Sequence, residues 1–180
     1  MKMLKNTRTK LAYFVLQKKA KTIVRNKTFH NFDSAKSAGI IFDATFQNKY
    51  LATKAFMGYL ANKGIDVNAL GYVAEKSNMG YFPFQKDTQY FSLDTLDILE
   101  KPISQDVDNF IERKFDILIN LCTDELYPIQ YIIAMSKAKF KISKKFNLNF
   151  SDFMLDIQGS TTIEDFIAQI KHYISALSKS

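Results

Sequence analysis

The stretch FDILINL (residues 115–121) is an almost continuous apolar run, and AGIIF (residues 38–42) is a second one. Strands that are covered on both faces carry apolar residues without alternation, so both runs predict central strands of a parallel sheet. Around them, short apolar runs alternate with amphipathic stretches, which is typical of βαβ units. The sequence therefore predicts an α/β fold with three layers and a mainly parallel sheet.

The remaining elements follow from the same patterns. Strands are expected at residues 67–73, 89–93, 140–142 and 153–157, with the basic residues of 140–142 pointing outward. Helices are expected at residues 46–63, 107–113 and 129–137. A last helix is predicted to start with a capping box formed by Thr161 and Glu164. Its predicted buried stripe consists of Phe166, Ile167, Ile170, Tyr173, Ile174 and Leu177.

The positive charge is concentrated at the N-terminus. The chain has 180 residues and a net charge of +7, but residues 1–36 alone contain ten basic residues and one acidic residue. The remaining residues carry 15 basic and 17 acidic side chains, so they are close to neutral. We predict a basic N-terminal helix and linker over residues 1–36, followed by a single Rossmann-like α/β domain over residues 37–180.

A ligand crevice is expected where the two central strands end. Right-handed crossovers would place these strands side by side, which creates a topological switch point where open α/β sheets bind ligands. The crevice would be lined by Asp43, Thr45, Asn120, Cys122, Thr123 and Asp124. The alternative is structural: Thr45 with Asp43, and Thr123 with Asp124, would cap the helices that follow. Asn120 would then hydrogen-bond to a neighbouring loop.

Residues 115–121, together with YIIAMSKAKF (residues 131–140), resemble the end of the first Rossmann-like domain of heptosyltransferase-type glycosyltransferases. The same stretch, with residues 38–45 and the final helix, is similar to an uncharacterised family of Rossmann-like proteins from Bacteroidota, over roughly residues 25–178. That family implies a fold and no assigned activity. The glycosyltransferases hold the sugar nucleotide mainly in a second domain, for which 180 residues leave no room.

The common catalytic and cofactor motifs are missing from the sequence. It has no GxGxxG, GxxxxGK[ST] or GxSxG motif, and its two histidines, His30 and His172, have no metal-ligand spacing. Cys122 could be a nucleophile near a helix N-terminus, but no histidine lies close to it in sequence, so a small buried side chain is the favoured interpretation. We therefore expect no cofactor, no metal and no catalytic residue, and favour a binding protein over an enzyme.

The basic leader suggests a partner with negative charge. Lysines neutralise phosphates and aromatic side chains add contact area, so we expect it to bind polyanions. The predicted binding residues are Lys2, Lys5, Arg8, Lys10, Lys18, Lys19, Lys21, Arg25, Lys27, Lys137, Lys139, Lys141, Lys144 and Lys145. The alternative is a solvated helix that packs back on the domain through its apolar residues.

Three functions follow from these observations. The first is a non-catalytic module that binds RNA, for example on the ribosome, or an acidic protein through its N-terminal helix. The second is a small-molecule or sugar-nucleotide binding domain, or an enzyme, that uses the crevice. The third is a peripheral membrane scaffold. The only cysteine is Cys122 and the longest N-terminal apolar run, residues 11–16, is too short for a signal peptide, so a cytoplasmic location is expected. The sequence leaves the oligomeric state open.

Overall fold

A computed structural model describes residues 2–74, 86–92, 94–157 and 162–177, with side chains from Arg8 onward. The helices are α1 (Lys2–Ala20), α2 (Gln47–Asn62), α3 (Gln105–Glu112), α4 (Tyr127–Met135) and α5 (Ile163–Ala176). The strands are β1 (Ser37–Asp43), β2 (Asp66–Val73), β3 (Thr88–Ser92), β4 (Ile117–Asn120), β5 (Phe140–Lys144) and β6 (Phe153–Leu155).

The six strands form one sheet in the order β3-β2-β1-β4-β5-β6, and every strand pair is parallel. This is the order of a doubly wound Rossmann-like fold, so the predicted fold class is confirmed. The predicted adjacency of the two central strands is also confirmed, because Ile40 of β1 pairs with Ile119 of β4. The direction of winding reverses between these two strands, which places a switch point at their carboxyl ends.

Helices cover both faces of the sheet and create two apolar cores. On the first face, α2 and α5 bury side chains such as Phe56 and Phe166 against the sheet. On the second face, α1, α3 and α4 bury Leu16, Phe110 and Ile132. Strands β1 and β4 contribute to both cores, which explains why their sequences are apolar without alternation.

Helix α1 packs against α4 on the second face. Ala12 and Leu16 of α1 are 0% and 1% exposed. The Tyr127 hydroxyl of α4 donates a hydrogen bond to the Ala12 carbonyl, and the rings of Tyr13 and Tyr127 meet edge to face with centroids 5.0 Å apart. The helix is therefore attached to the domain through one apolar side. This agrees with the alternative in which the leader is a helix that packs back on the domain through its apolar residues. The division of the chain at residue 36 stays a prediction.

Two local predictions are corrected. Lys141 of β5 does not point outward, because it is 2% exposed and lies on the sheet face that α4 covers. The capping box of α5 is formed by Thr162 and Asp165, one residue later than predicted, because the helix starts at Ile163. Thr161 lies outside the described residues.

The predicted stripe of α5 is buried only in part. Phe166, Ile167, Ile170 and Ile174 are buried. Tyr173 and Leu177 are 45% and 42% exposed, so they lie at the margin of the stripe.

Candidate functional site

The carboxyl ends of β1 and β4 bring the predicted crevice residues to one edge of the sheet. Asp43 is 2% exposed. Its carboxylate accepts a hydrogen bond from the Thr45 amide at 2.9 Å and one from the Lys49 ammonium at 2.8 Å. Asp124 is exposed, and its carboxylate lies 4.0 Å from the same ammonium. Lys49, which the sequence analysis missed, therefore joins the two loops of the crevice.

Asn120 and Cys122 are buried beneath this edge. The Asn120 side-chain oxygen accepts a hydrogen bond from the Cys122 amide at 3.0 Å. This bond lies within the loop that follows β4, whereas the structural alternative predicted a bond to a neighbouring loop. The side-chain amide nitrogen of Asn120 has no partner among the residues that the structure describes. Burial, followed by the charge of Asp43, raises the pKa of the Cys122 thiol. A protonated, buried thiol is a poor nucleophile, which agrees with the structural interpretation of this cysteine.

The predicted helix caps at the crevice are wrong. The N-cap positions of α2 and α4 are Phe46 and Leu126, and neither makes a side-chain cap bond. Thr45 instead accepts a hydrogen bond from the Ala74 amide at 3.2 Å through its hydroxyl oxygen, which connects the end of β1 to the residue after β2. The Thr123 carbonyl lies 3.5 Å from the Lys144 ammonium.

The predicted polyanion set includes a second basic cluster, the five lysines between residues 137 and 145, and most of these already have partners. Lys137 pairs with Glu112 at 2.5 Å, Lys139 with Asp116 at 2.8 Å and Lys145 with Asp156 at 2.9 Å. Lys141 is buried and donates to the carbonyls of Ile133 and Ala134 at 2.6 and 3.4 Å. Lys144 has no described carboxylate partner, and its ammonium lies 3.5 Å from the Thr123 carbonyl.

Four of the N-terminal lysines, in contrast, have no described ion-pair partner. Lys10, Lys18, Lys19 and Lys21 are exposed, and no acidic side chain within the described ranges forms an ion pair with them. Arg8 pairs with Glu100 at 2.9 Å. Lys27 lies 3.6 Å from Asp152 with 71% of its side chain exposed. The side chains of Lys2 and Lys5 lie outside the described residues.

One row of α1 faces away from the domain. Lys10, Phe14 and Lys18 are four residues apart and therefore lie along the same side of the helix. Phe14 is 53% exposed, and the Lys18 ammonium lies 4.4 Å from the centre of its ring. Leu11, which is 54% exposed, lies beside this row. We call Lys10, Leu11, Phe14 and Lys18 the outward row.

A cavity of about 590 Å³ lies below the C-terminal end of α1. Lys21, Arg25, Lys27 and Lys141 contribute to its lining, together with Asn149 and Phe150. The two halves of the predicted polyanion set thus meet here, because Lys141 comes from β5 and the other cations come from the leader. The sequence contained no sign of this meeting.

Arg25 is the buried anchor of this region. Its guanidinium donates to the carbonyls of Ala138 and Lys139 at 3.1 and 3.0 Å, and to the Asp152 carboxylate at 2.5 Å. Burial by itself would raise the pKa of Asp152, but the hydrogen bond and charge of Arg25 outweigh it, so the pKa lies below its ordinary value. Burial, followed by the charge of Arg25, lowers the pKa of Lys141 to about 7.

The described part of the chain has neither a metal-binding cluster nor a membrane-spanning helix. No group of three or more His, Cys, Asp or Glu side chains in that part could hold a metal ion. None of the described helices has the length and apolar character needed to cross a membrane.

Comparison with known proteins identifies a family for the chain but no activity. A protein-family profile described as a family of unknown function (DUF6913) matches residues 8–177. No curated protein and no solved structure matches the chain.

Proposed function

The chain belongs to this family of unknown function, and we propose that it is a non-catalytic module that binds RNA through the outward row of α1. The observation that carries the proposal is the contrast between two sets of lysines. Those of the outward row are exposed and have no carboxylate partner among the described residues, whereas Lys137, Lys139 and Lys145 are already paired. Unpaired cations are available to neutralise phosphates.

The side chains between these lysines fit single-stranded RNA. Phe14 exposes about half of its surface beside Lys18, and base stacking on an exposed aromatic ring is a common source of affinity for single strands. A lipid surface fits less well, because a helix that lies in a membrane needs a broad apolar face. The outward row has only two large apolar side chains, Leu11 and Phe14, so its apolar face is narrow. Structured RNA with exposed single-stranded loops, as in the ribosome, is the partner class that we favour.

Salt dependence tests this proposal. If the leader neutralises about four phosphates, the affinity for a single-stranded RNA should fall about 50-fold when salt rises from about 50 to about 200 mM. Replacing both lysines of the outward row, Lys10→Gln and Lys18→Gln, should weaken binding at low salt and reduce the slope of log affinity against log salt by about half. Fluorescence anisotropy with a labelled RNA measures both quantities.

A matched control removes the same amount of charge elsewhere. Lys137→Gln with Lys145→Gln also lowers the net charge by two, but these lysines are paired with Glu112 and Asp156. This pair of substitutions should leave the salt slope nearly unchanged. Equal losses in both double variants would contradict the outward row as the site. Association with anionic vesicles that persists at high salt, without RNA binding at low salt, would favour a membrane role instead.

A second candidate function is small-molecule binding in the crevice at the switch point. The amide nitrogen of Asn120, which is 0% exposed, has no partner among the described residues, and a ligand could supply one. A nucleotide, including a sugar nucleotide, is the ligand class, because open α/β sheets of this order bind nucleotides at the switch point. Such a ligand should raise the melting temperature of the protein, and Asn120→Ala should abolish the rise. No rise with any nucleotide or sugar nucleotide would contradict this candidate.

A further inference from the structure

The cavity below α1 has the composition of a site for a small anion. Its volume of about 590 Å³ lies within the usual range for small-molecule sites. Its lining includes the basic residues Lys21, Arg25, Lys27 and Lys141. It also includes the apolar residues Ala20, Ile23, Ala134, Leu148 and Phe150.

The charges around the cavity are unbalanced. Among the described residues, Asp152 is the carboxylate paired with this group of cations: it accepts hydrogen bonds from Arg25 and from the Lys141 amide, and the Lys27 ammonium lies 3.6 Å from it. Its single charge compensates Arg25. The ammonium groups of Lys21 and Lys27 remain available, because the first has no described ion-pair partner and the second is 71% exposed. An oxyanion in the cavity would supply the missing negative charge.

Lys141 has bonding capacity left as well. Its ammonium donates to the carbonyls of Ile133 and Ala134 near the C-terminal end of α4, which is a favourable place for a cation. An ammonium group has three hydrogens, so capping the helix leaves one of them. Because Lys141 contributes to the lining of the cavity, that hydrogen can be offered to a bound anion.

We propose that this cavity binds a phosphate monoester with an aromatic or apolar body of about nucleotide size. Lys21, Lys27 and Lys141 hold the phosphate, and apolar lining residues such as Phe150 contact the body. The site is separate from the outward row of α1, so it does not depend on the proposed RNA binding. The phosphate monoester can be a free nucleotide or the phosphorylated end of an RNA chain.

Binding should be coupled to a proton. The groups that face Lys141 are Arg25, Lys27 and Asp152, and burial together with the two cations lowers its pKa to about 7 in the free protein. A phosphate beside the ammonium favours its charged form and raises the pKa again. At a pH about one unit above 7, the complex should therefore take up a proton that the free protein lacks.

Calorimetric titration with adenosine monophosphate, with adenosine as the comparison ligand, tests the site. We expect the monophosphate to bind and adenosine to bind at least about tenfold more weakly, because charge-assisted hydrogen bonds to the phosphate are lost. Lys21→Gln with Lys27→Gln should weaken the monophosphate about tenfold or more. The matched control is Lys137→Gln with Lys145→Gln, which removes two lysines already paired with Glu112 and Asp156 and should leave this affinity unchanged. Melting temperatures check that each variant is folded.

Proton uptake tests the role of Lys141. Repeating the titration in buffers with different ionisation enthalpies gives the number of protons taken up, which should be above zero in the wild type and fall in Lys141→Met. If Lys141→Met does not fold, the Lys21 and Lys27 variants still decide the outcome. Equal binding of adenosine and its monophosphate, or equal losses in the Lys137 and Lys145 control, would overturn the proposal.

An RNA oligonucleotide with and without a terminal phosphate distinguishes the two sources. If the phosphorylated end is the ligand, the phosphate should improve binding by the same factor that Lys21→Gln with Lys27→Gln removes. If the terminal phosphate has no effect while adenosine monophosphate binds, the ligand is a free nucleotide. Failure of RNA binding through the outward row would leave the monophosphate titration unchanged, so the two proposals fail separately.

Discussion

Replacing Arg25 with alanine is expected to lower the free energy of unfolding by about 3–5 kcal/mol, the usual cost of breaking a buried ion pair by removing one partner. The Arg25 side chain is 7% exposed and its guanidinium bonds to Asp152 and to two backbone carbonyls. Its loss removes the nearest cation from a half-buried carboxylate, which keeps only the exposed Lys27 ammonium at 3.6 Å, and leaves the carbonyls of Ala138 and Lys139 without this donor. Urea unfolding followed by circular dichroism measures the effect.

The pH dependence of this effect has a defined sign. The pKa of Asp152 is lower in the folded protein than its ordinary value of 3.8. A carboxyl group with a depressed pKa contributes stability above its unfolded pKa, and this contribution is lost as the pH falls through the folded pKa. The difference in stability between wild type and Arg25→Ala should therefore be full near neutral pH and shrink below about pH 4.

Arg8→Ala is the matched control. It removes the same side chain and charge from the same leader, but the Arg8 side chain is 46% exposed, and the Glu100 carboxylate, which is 13% exposed, keeps a hydrogen bond from the Thr9 hydroxyl. Because the cation is largely solvated and its partner keeps another donor, this variant should cost less than Arg25→Ala, about 1 kcal/mol. Similar costs for both variants would contradict Arg25 as the anchor of the leader.

Replacing Leu16 with alanine is expected to cost about 2.7–5 kcal/mol, the range for removing a buried leucine side chain and leaving a cavity. Leu16 is 1% exposed in the second core, between α1 and the rest of the domain. Leu11, five residues earlier on the same helix, is 54% exposed. Leu11→Ala should change stability by no more than about 0.5 kcal/mol, because surface substitutions have small effects.

The two leucine variants also test whether α1 is docked on the domain in solution. Leu16→Ala should lower the urea midpoint, whereas Leu11→Ala should leave it in place. If the two variants unfold at the same urea concentration, α1 is not docked on the domain in solution. The outward row would then have no fixed orientation, and the proposed RNA site would have to be reconsidered.

Much of the fold could be predicted because burial on both faces leaves a direct mark on the sequence. The runs at residues 38–42 and 115–121 are apolar at nearly all positions, and this pattern is typical of covered strands. The edge strand and the helix starts were located within a few residues. The capping box of α5 was misplaced by one position because Thr161 and Thr162 are both good N-cap residues.

The candidate sites could be predicted only in part. The crevice residues were found because strand ends in a parallel sheet have known neighbours. Lys141 was misjudged because a lysine in a short strand normally faces solvent. Its burial depends on two carbonyls of α4 that accept its ammonium, and no sequence pattern announces such a partner.

Residue type and order were sufficient for the sheet, the layers and the concentration of charge in the leader, since hydrophobic periodicity and local charge are properties of neighbouring residues. The tertiary structure decided which charged side chains have an ion-pair partner. Arg25 meets Asp152 across 127 positions of sequence, whereas Lys10 and Lys18 meet no carboxylate among the described residues. Electrostatic partnership depends on distances of a few ångströms in space, and only the packing of α1 and of the segment after it on the domain sets those distances.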